Sequence, residues 1–208
     1  MITQLRIPDT FRIDPHRFED QRGSVHELFR YEGIGEATGR SFTPAQATYS
    51  VSRRGSLRGI HATPVPPGEA KLVTCVRGAV LDVVVDLRVG SPTFGEFDRT
   101  RLDPESGTGI FMAEGIGHAF LALTDDACMS YLCSAEYRRG RMIDINALDP
   151  EIGIPWGDAD PFVMSEKDAR APLLGQAADA GLLPEYGQCR DLYERLAEGP
   201  RAGHPAAD

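Results

Sequence analysis

What most constrains this chain is a succession of short apolar runs between about residues 45 and 137. Ala70–Val76, Ala79–Val89, Gly109–Met112, Ala119–Leu123 and Met129–Ser134 are rich in Val, Leu, Thr and Phe. Such residues suit a pleated, half-buried surface. Turn formers stand between the runs: Arg77-Gly78, Gly90-Ser-Pro92, Asp103-Pro104, Gly115 and Asp125-Asp126. Many short strands at this spacing predict an all-β fold of two packed sheets, a sandwich or a double-sheet jelly roll.

The flanks differ. Residues 1–30 hold short alternating segments, and Phe18 to Gly23 reads as a turn between two strands. Residues 31–40 suit a short helix that Gly33, Gly35 and Gly39 weaken. Residues 149–160, rich in Pro, Gly and Asp, read as an ordered loop. Helical patterns follow at Ser165–Ala178 and Gln188–Ala197, joined by Gly181-Leu-Leu-Pro184. Residues 199–208 read as a frayed tail. The chain thus divides into a domain over 1–178 and a helical extension with tail over 179–208.

The net charge of −9 opposes binding to a nucleic-acid backbone. A role for phosphate must therefore rest on particular arginines. The four cysteines form no C-x-x-C pair; Cys75 and Cys128 read as small buried hydrophobes, and reduced thiols suit a cytoplasmic protein. Neither a signal-peptide pattern nor a membrane-spanning run is present. The absence of G-x-G-x-x-G, Walker and G-x-S-x-G motifs leaves no support for dinucleotide, nucleoside-triphosphate or serine-hydrolase chemistry.

The stretch around His61 is the most informative. Arg53–Gly78 places one histidine between glycines and a proline-rich turn, where a strand meets a loop. A satisfied core histidine and a functional one are both open here. Metal-binding cupins, double-sheet barrels, use G-x5-H-x-H, a nearby Glu, and a later P-x-G-x-x-H. Gly55, His61, Gly115 and His118 match, but Thr63 takes the second histidine position and Ala113 replaces the proline. Glu69 lies one position late. Two histidines without a reliable carboxylate make a poor metal site, which points to a cupin-type jelly roll that has lost its metal. Pocket imidazoles suit acid–base chemistry instead.

In Val80–Arg88, Asp82, Asp86 and Arg88 share one parity and Val83, Val85 and Leu87 the other. That strand has a polar face, turned either to solvent or to a wet pocket. Tyr131 lies in the strand-like Met-Ser-Tyr-Leu-Cys-Ser, by default a core tyrosine with a bonded hydroxyl. Lys71 opens a strand, where most lysines are exposed.

Together these residues resemble the dTDP-4-dehydrorhamnose 3,5-epimerase family, from about residue 11 to residue 175. The resemblance rests on ordered motifs: Arg22-Gly23-x-x-x-Glu27, Gln46, Leu57-Arg-Gly-Ile-His61, Lys71-Leu-Val and Asp82-Val-Val-Val-Asp86-Leu-Arg88. It continues through Gly90-Ser-Pro-Thr-Phe-Gly95, Gly115-Ile-Gly-His118-Ala-Phe120, Tyr131 and Ser165-Glu-Lys-Asp168. The spelling Ser-Leu-Arg-Gly-Ile-His and the extension Gly181-Leu-Leu-Pro-Glu-Tyr186 look most like members from antibiotic deoxysugar pathways.

The resemblance implies a homodimeric cupin-type jelly roll with short C-terminal helices, free of metal and cofactor. It implies epimerisation of a dTDP-linked 4-keto-6-deoxyhexose at C3, C5 or both. By position, His61 resembles the base, Asp168 its orienting carboxylate, Tyr131 the acid on the opposite face, and Lys71 the cation near the keto oxygen. Arg22 and Arg58 resemble diphosphate contacts; Glu27, Gln46, Thr48, His118 and Lys167 match other substrate-binding positions, and Tyr137 the ring against thymine. The chain departs from the family at Ala62, usually aromatic, Thr63, often Gln, Thr48, often Asn, and Met142, often Glu. These changes border the sugar and nucleotide pockets, so they bear on which sugar is used and which carbon inverts. Two other expectations remain beside the epimerase: a metal-dependent cupin using His61, Glu69 and His118, and a non-catalytic sugar-nucleotide binding protein.

Overall fold

The computed structural model describes residues 1–157 and 162–198 of the chain. The strands are β1 (Ile2–Gln4), β2 (Thr10–Ile13), β3 (His16–Asp20) and β4 (Gly23–Glu27), then α1 (Tyr31–Thr38), β5 (Gln46–Ser52) and β6 (Leu57–Ala62). There follow β7 (Lys71–Arg77), β8 (Val80–Asp86), β9 (Phe97–Leu102), β10 (Gly109–Met112), β11 (Ile116–Ala122), β12 (Ala127–Cys133) and β13 (Ile143–Asp144). Three helices close the chain: α2 (Glu166–Ala169), α3 (Leu174–Asp179) and α4 (Tyr186–Glu198). Among the described residues, no helix is long and apolar enough to cross a membrane. The expected tail at 199–208 and the end of the expected loop at 158–160 lie outside the described residues.

Two antiparallel sheets face each other, one ordered β1-β2-β10-β7-β12-β5 and the other β13-β6-β11-β8-β9. Between them lies a core that includes Val73, Val84, Met112, Phe120 and Met129. The outer side of the five-stranded sheet is covered as well: Leu57, Val83, Val85 and Leu87 pack against Ile145, Ile154, Trp156 and Leu174. β8 is therefore buried on both faces. Its polar parity turns inward rather than to solvent, and Asp82, Asp86 and Arg88 are all buried. The solvated-face reading fails because a layer drawn from residues 143–183 occupies the place that solvent would take.

Those inward charges are paired, as buried charges must be. Arg88 donates to both oxygens of Asp86 at 2.8 Å and to Asp9 at 2.7 Å. Ser91 and Thr93 add bonds to Asp86 at 2.6 and 2.7 Å. Burial opposes ionisation of Asp86, but Arg88 and the two hydroxyls more than offset it and hold the carboxyl below its usual range. The C-terminal helix is stitched to the same end: the Tyr193 hydroxyl donates to the Glu114 carbonyl, and Cys189 and Tyr193 join the inter-sheet core.

Several local expectations need correction. The turn after Phe18 is only Gln21-Arg22, because β3 continues to Asp20, which pairs with Gly23. The helix over 31–40 forms despite its glycines, and Gly39 ends it in the left-handed region at φ 73, where glycine is at ease. The pattern over Ser165–Ala178 breaks into α2 and α3, since Pro172 disfavours helix at the residue before it and supplies no N–H. Cys75 is buried, but Cys128 is only half-buried, because its strand turns that residue to the outer face of the six-stranded sheet.

Candidate active site

The site forms where β6 and β12 leave the sheets. His61 is near the end of β6 and Tyr131 is on β12 of the opposite sheet. In β11, His118 and Phe120 pair with His61 and Arg58 respectively, three residues against four. β6 thus carries one extra residue, a β-bulge, which turns Arg58 and His61 to the same face. Gly59 makes this close approach possible: a Cβ there would sit 2.5 Å from the His118 carbonyl oxygen.

His61 Nε2 donates to Asp168 Oδ1 at 2.8 Å. This fixes the proton on Nε2 and leaves the lone pair on Nδ1. Asp168 is placed by its helix: Ser165 caps α2 and accepts from the Asp168 backbone N–H at 3.1 Å. Burial disfavours the Asp168 carboxylate, but His61, then Ser165 and Lys167, outweigh it and hold the carboxyl below the usual range.

His118 donates from Nε2 to Asp82 at 2.6 Å, both groups being buried. Its ring meets that of Tyr131 edge to face, with centroids 6.0 Å apart. The Tyr131 hydroxyl lies 3.4 Å from Ser50 Oγ. Burial pushes the Tyr131 pKa well above that of an ordinary phenol; Ser50 and Arg58 oppose the rise and Asp82 adds to it.

Lys71 is buried and lies 3.2 Å from Glu69, contrary to the exposure usual for a strand-opening lysine. Its side chain shares the inward parity of Val73 and Cys75, so its ammonium belongs to the interior and the carboxylate balances its charge. Arg58 donates to Ser52 at 3.0 Å. Gln46 donates to Thr48 at 2.8 Å and accepts from the Tyr137 backbone at 2.6 Å, which ties the Tyr137 loop to β5. A cavity of about 700 Å³ is lined by the loops that follow β6 and β12, including Thr63, Glu69, Tyr137, Arg141 and Met142; it reaches the constellation through Glu69 and Tyr137, and His61, Tyr131, His118 and Asp168 are not among its walls. That size accommodates a small organic ligand.

Arg22 and Glu27 are not brought to this site. They lie on the β3–β4 hairpin, where Arg22 bonds its own Asp20 and Glu27 pairs with Arg30. Nor do His61, Glu69 and His118 converge as metal ligands, since Glu69 is paired with Lys71 and His118 with Asp82. Among the described residues, the one group of three side chains with ligand atoms within 4.8 Å of one another is His61, Asp144 and Asp168. Sequence reasoning missed Asp82 as the partner of His118, although the parity of β8 marked it. It also missed Ser50 and Asp144, which carry no motif; strand register alone brings Asp144 opposite His61.

The dTDP-4-dehydrorhamnose 3,5-epimerase family matches over residues 4–176. A dTDP-4-dehydro-6-deoxyglucose 3-epimerase of Streptomyces bikiniensis is 48% identical over 182 residues, 88% of this chain and 93% of its own. A dTDP-4-dehydrorhamnose 3,5-epimerase of Mycolicibacterium smegmatis is 47% identical over 193 residues, 93% of this chain and 95% of its own. Among solved structures, a double mutant of a 3'-monoepimerase from Streptomyces bikiniensis in complex with dTDP superposes with a TM-score of 0.92 at 43% identity, covering 95% of this chain and 99% of that one. A 4-keto-6-deoxy sugar epimerase from the novobiocin biosynthetic gene cluster of Streptomyces spheroides gives 0.89 at 46% identity, covering 91% and 94%. The same two-sheet architecture and a match over most of the length agree: this chain belongs to the dTDP-4-dehydrorhamnose 3,5-epimerase family.

Proposed function

We propose that the protein binds a dTDP-4-keto-6-deoxyhexose and epimerises it through an enolate, with His61 as base and Tyr131 as acid. The family's reaction is epimerisation of such sugars at C3, C5 or both. The observation that carries the residue roles is that His61, oriented by Asp168, and Tyr131 project from opposite sheets. A proton removed on one side of a sugar ring between them is returned on the other, which is inversion. In the Streptomyces bikiniensis structure the altered residues are a histidine, changed to asparagine, and a tyrosine, changed to phenylalanine, the residue types of His61 and Tyr131.

The 4-keto group acidifies the protons on C3 and C5. The lone pair on Nδ1 takes one of them, while Asp168 accepts from Nε2 and stabilises the imidazolium. Negative charge builds on the keto oxygen, and Lys71 offsets it once the ammonium leaves Glu69. The raised pKa of Tyr131 keeps its phenol protonated, so it donates to the far face. Arg58 contributes a guanidinium fork to the diphosphate. Gln46, Thr48, His118 and Lys167 line the substrate, and Tyr137 offers its ring to the base.

The reading includes a homodimer. Arg22 and Glu27 stand on a hairpin away from this subunit's own site, and Phe18, Val25, Tyr49 and Val51 expose apolar surface that a second copy would cover. It also includes a cytoplasmic location, which the four unpaired cysteines support. Relatives that act at C3 alone and at both carbons are equally similar, at 48% and 47% identity, so regiochemistry is left to experiment. Incubation with dTDP-4-keto-6-deoxyglucose in D2O, read by NMR, tests the reading: deuterium enters at C3, C5 or both. Tight dTDP binding without exchange would leave only a binding protein.

A further inference from the structure

Asp144 has no part in the roles set out above. β13 holds it directly opposite His61 in the β6 register, so the two side chains share one face of the sheet. Asp144 Oδ1 lies 3.7 Å from His61 Nε2 and accepts from Lys167 Nζ at 2.8 Å. Lys167 precedes Asp168 on α2, and Asp168 holds the same Nε2 at 2.8 Å. The base nitrogen that does not face substrate thus stands between two carboxylates, one of them capped by an ammonium. The other titratable or charged groups around His61 are His118 on β11, Arg58 on its own strand, and Tyr131 and Lys71 on the facing sheet. His118 is bonded to Asp82, Lys71 to Glu69 and Arg58 to Ser52, whereas Asp144 lies beside Nε2 itself and carries Lys167.

We propose that Asp144 and Lys167 form a positioning charge pair that sets the pH at which His61 becomes able to accept a proton, Asp144 favouring the protonated ring and Lys167 opposing it. The proposal rests on His61 being the base. Asp144 acts through that base, and so does Lys167 in the free enzyme, before it meets substrate. Proton abstraction creates an imidazolium, and a carboxylate within 4 Å stabilises it. The ammonium on Asp144 limits that effect. Substrate contact by Lys167 would loosen the pair, but only after binding.

The test is the acid limb of kcat/KM against pH, which reports the free enzyme's base. Asp144→Asn keeps the shape and removes the charge; its limb moves to lower pH by about half to one unit, a partly exposed charge acting less than a buried one. Lys167→Met removes the opposing charge, and its limb moves to higher pH by a similar amount. The double variant returns close to the starting profile. A structural role would lower the amplitude without moving the limb, and it would not move two limbs in opposite directions. Limbs that stay put, or shift together, overturn the proposal. His61→Ala measured alongside separates the two claims. If it still exchanges deuterium into the sugar, the base assignment has failed. If it is inert while the limbs of the other variants stay fixed, only the charge pair has failed.

Discussion

His118 and Tyr131 meet edge to face, with ring centroids 6.0 Å apart and planes at 77°, although they belong to different sheets. Asp82 holds His118 from behind at 2.6 Å. The position of the phenol thus depends on a buried carboxylate of the opposite sheet, on the strand beside that of His118, and the spacing between the proposed acid and base is a property of the core.

The base and its partner give the first prediction. His61→Ala abolishes deuterium incorporation into the keto sugar while dTDP binding, measured by calorimetry, persists. Asp168→Asn leaves an imidazole without its orienting carboxylate, and kcat falls about 10²–10⁴-fold. Wild-type turnover by Asp168→Asn would sink the role given to that carboxylate.

Tyr131→Phe separates exchange from inversion. Its product formation falls more than its deuterium exchange, because the proposed base, His61, is left in place. The upward shift of the phenol's pKa also fixes the sign of a pH effect: the acid form persists to about pH 10 and above. Between pH 7 and 10 the wild-type rate shows no loss traceable to this tyrosine, which a spectrophotometric phenolate titration of wild type against Tyr131→Phe checks.

The Asp86–Arg88 pair gives a stability prediction. Asp86→Ala leaves the fully buried Arg88 guanidinium without its main partner, at a cost of about 3–5 kcal/mol in urea unfolding. The pH dependence has a definite sign. The carboxyls of Asp86 and Asp168 are held below their usual range, so their stabilisation is complete above about pH 4 and is lost as pH falls through the lower folded values. Tm therefore drops below pH 4, and it drops less steeply in Asp168→Asn. An equal slope in that variant would contradict the linkage.

Gly59→Ala tests the bulge. The new Cβ would lie 2.5 Å from the His118 carbonyl and 2.7 Å from Ala119, at φ +110. The variant loses about 2–4 kcal/mol. Its activity falls as well, since relief of the clash must part β6 from β11 and carry His61 with it. Full activity at unchanged stability would show that this close approach is not required.

The strand runs and most of the turns are legible because they follow local alternation, and the pairing of His61 with Asp168 is legible only through the family resemblance. The double burial of β8 is not. Val83 and Val85 alternate with Asp82 and Asp86 just as they would on a half-solvated sheet, and only the distant segment that packs on Leu57 and Leu87 decides otherwise. Arg58 and His61, three residues apart, read as opposite faces of a strand; the extra residue in β6 puts them on one. Asp144 was invisible for the same reason, as its neighbourhood comes from register. The helical pattern over 165–178 runs across Pro172, whose ring splits it into α2 and α3.

The loops over 63–69 and 135–142 shape the cavity, while the groups proposed to move protons are anchored in paired strands and in a capped turn of helix. Inheritance of the reaction and inheritance of its sugar preference are thereby uncoupled. A lineage can drift at Thr63 or Met142 and try new sugars with its proton chemistry intact, whereas a change at Gly59 or Asp82 risks fold and turnover together.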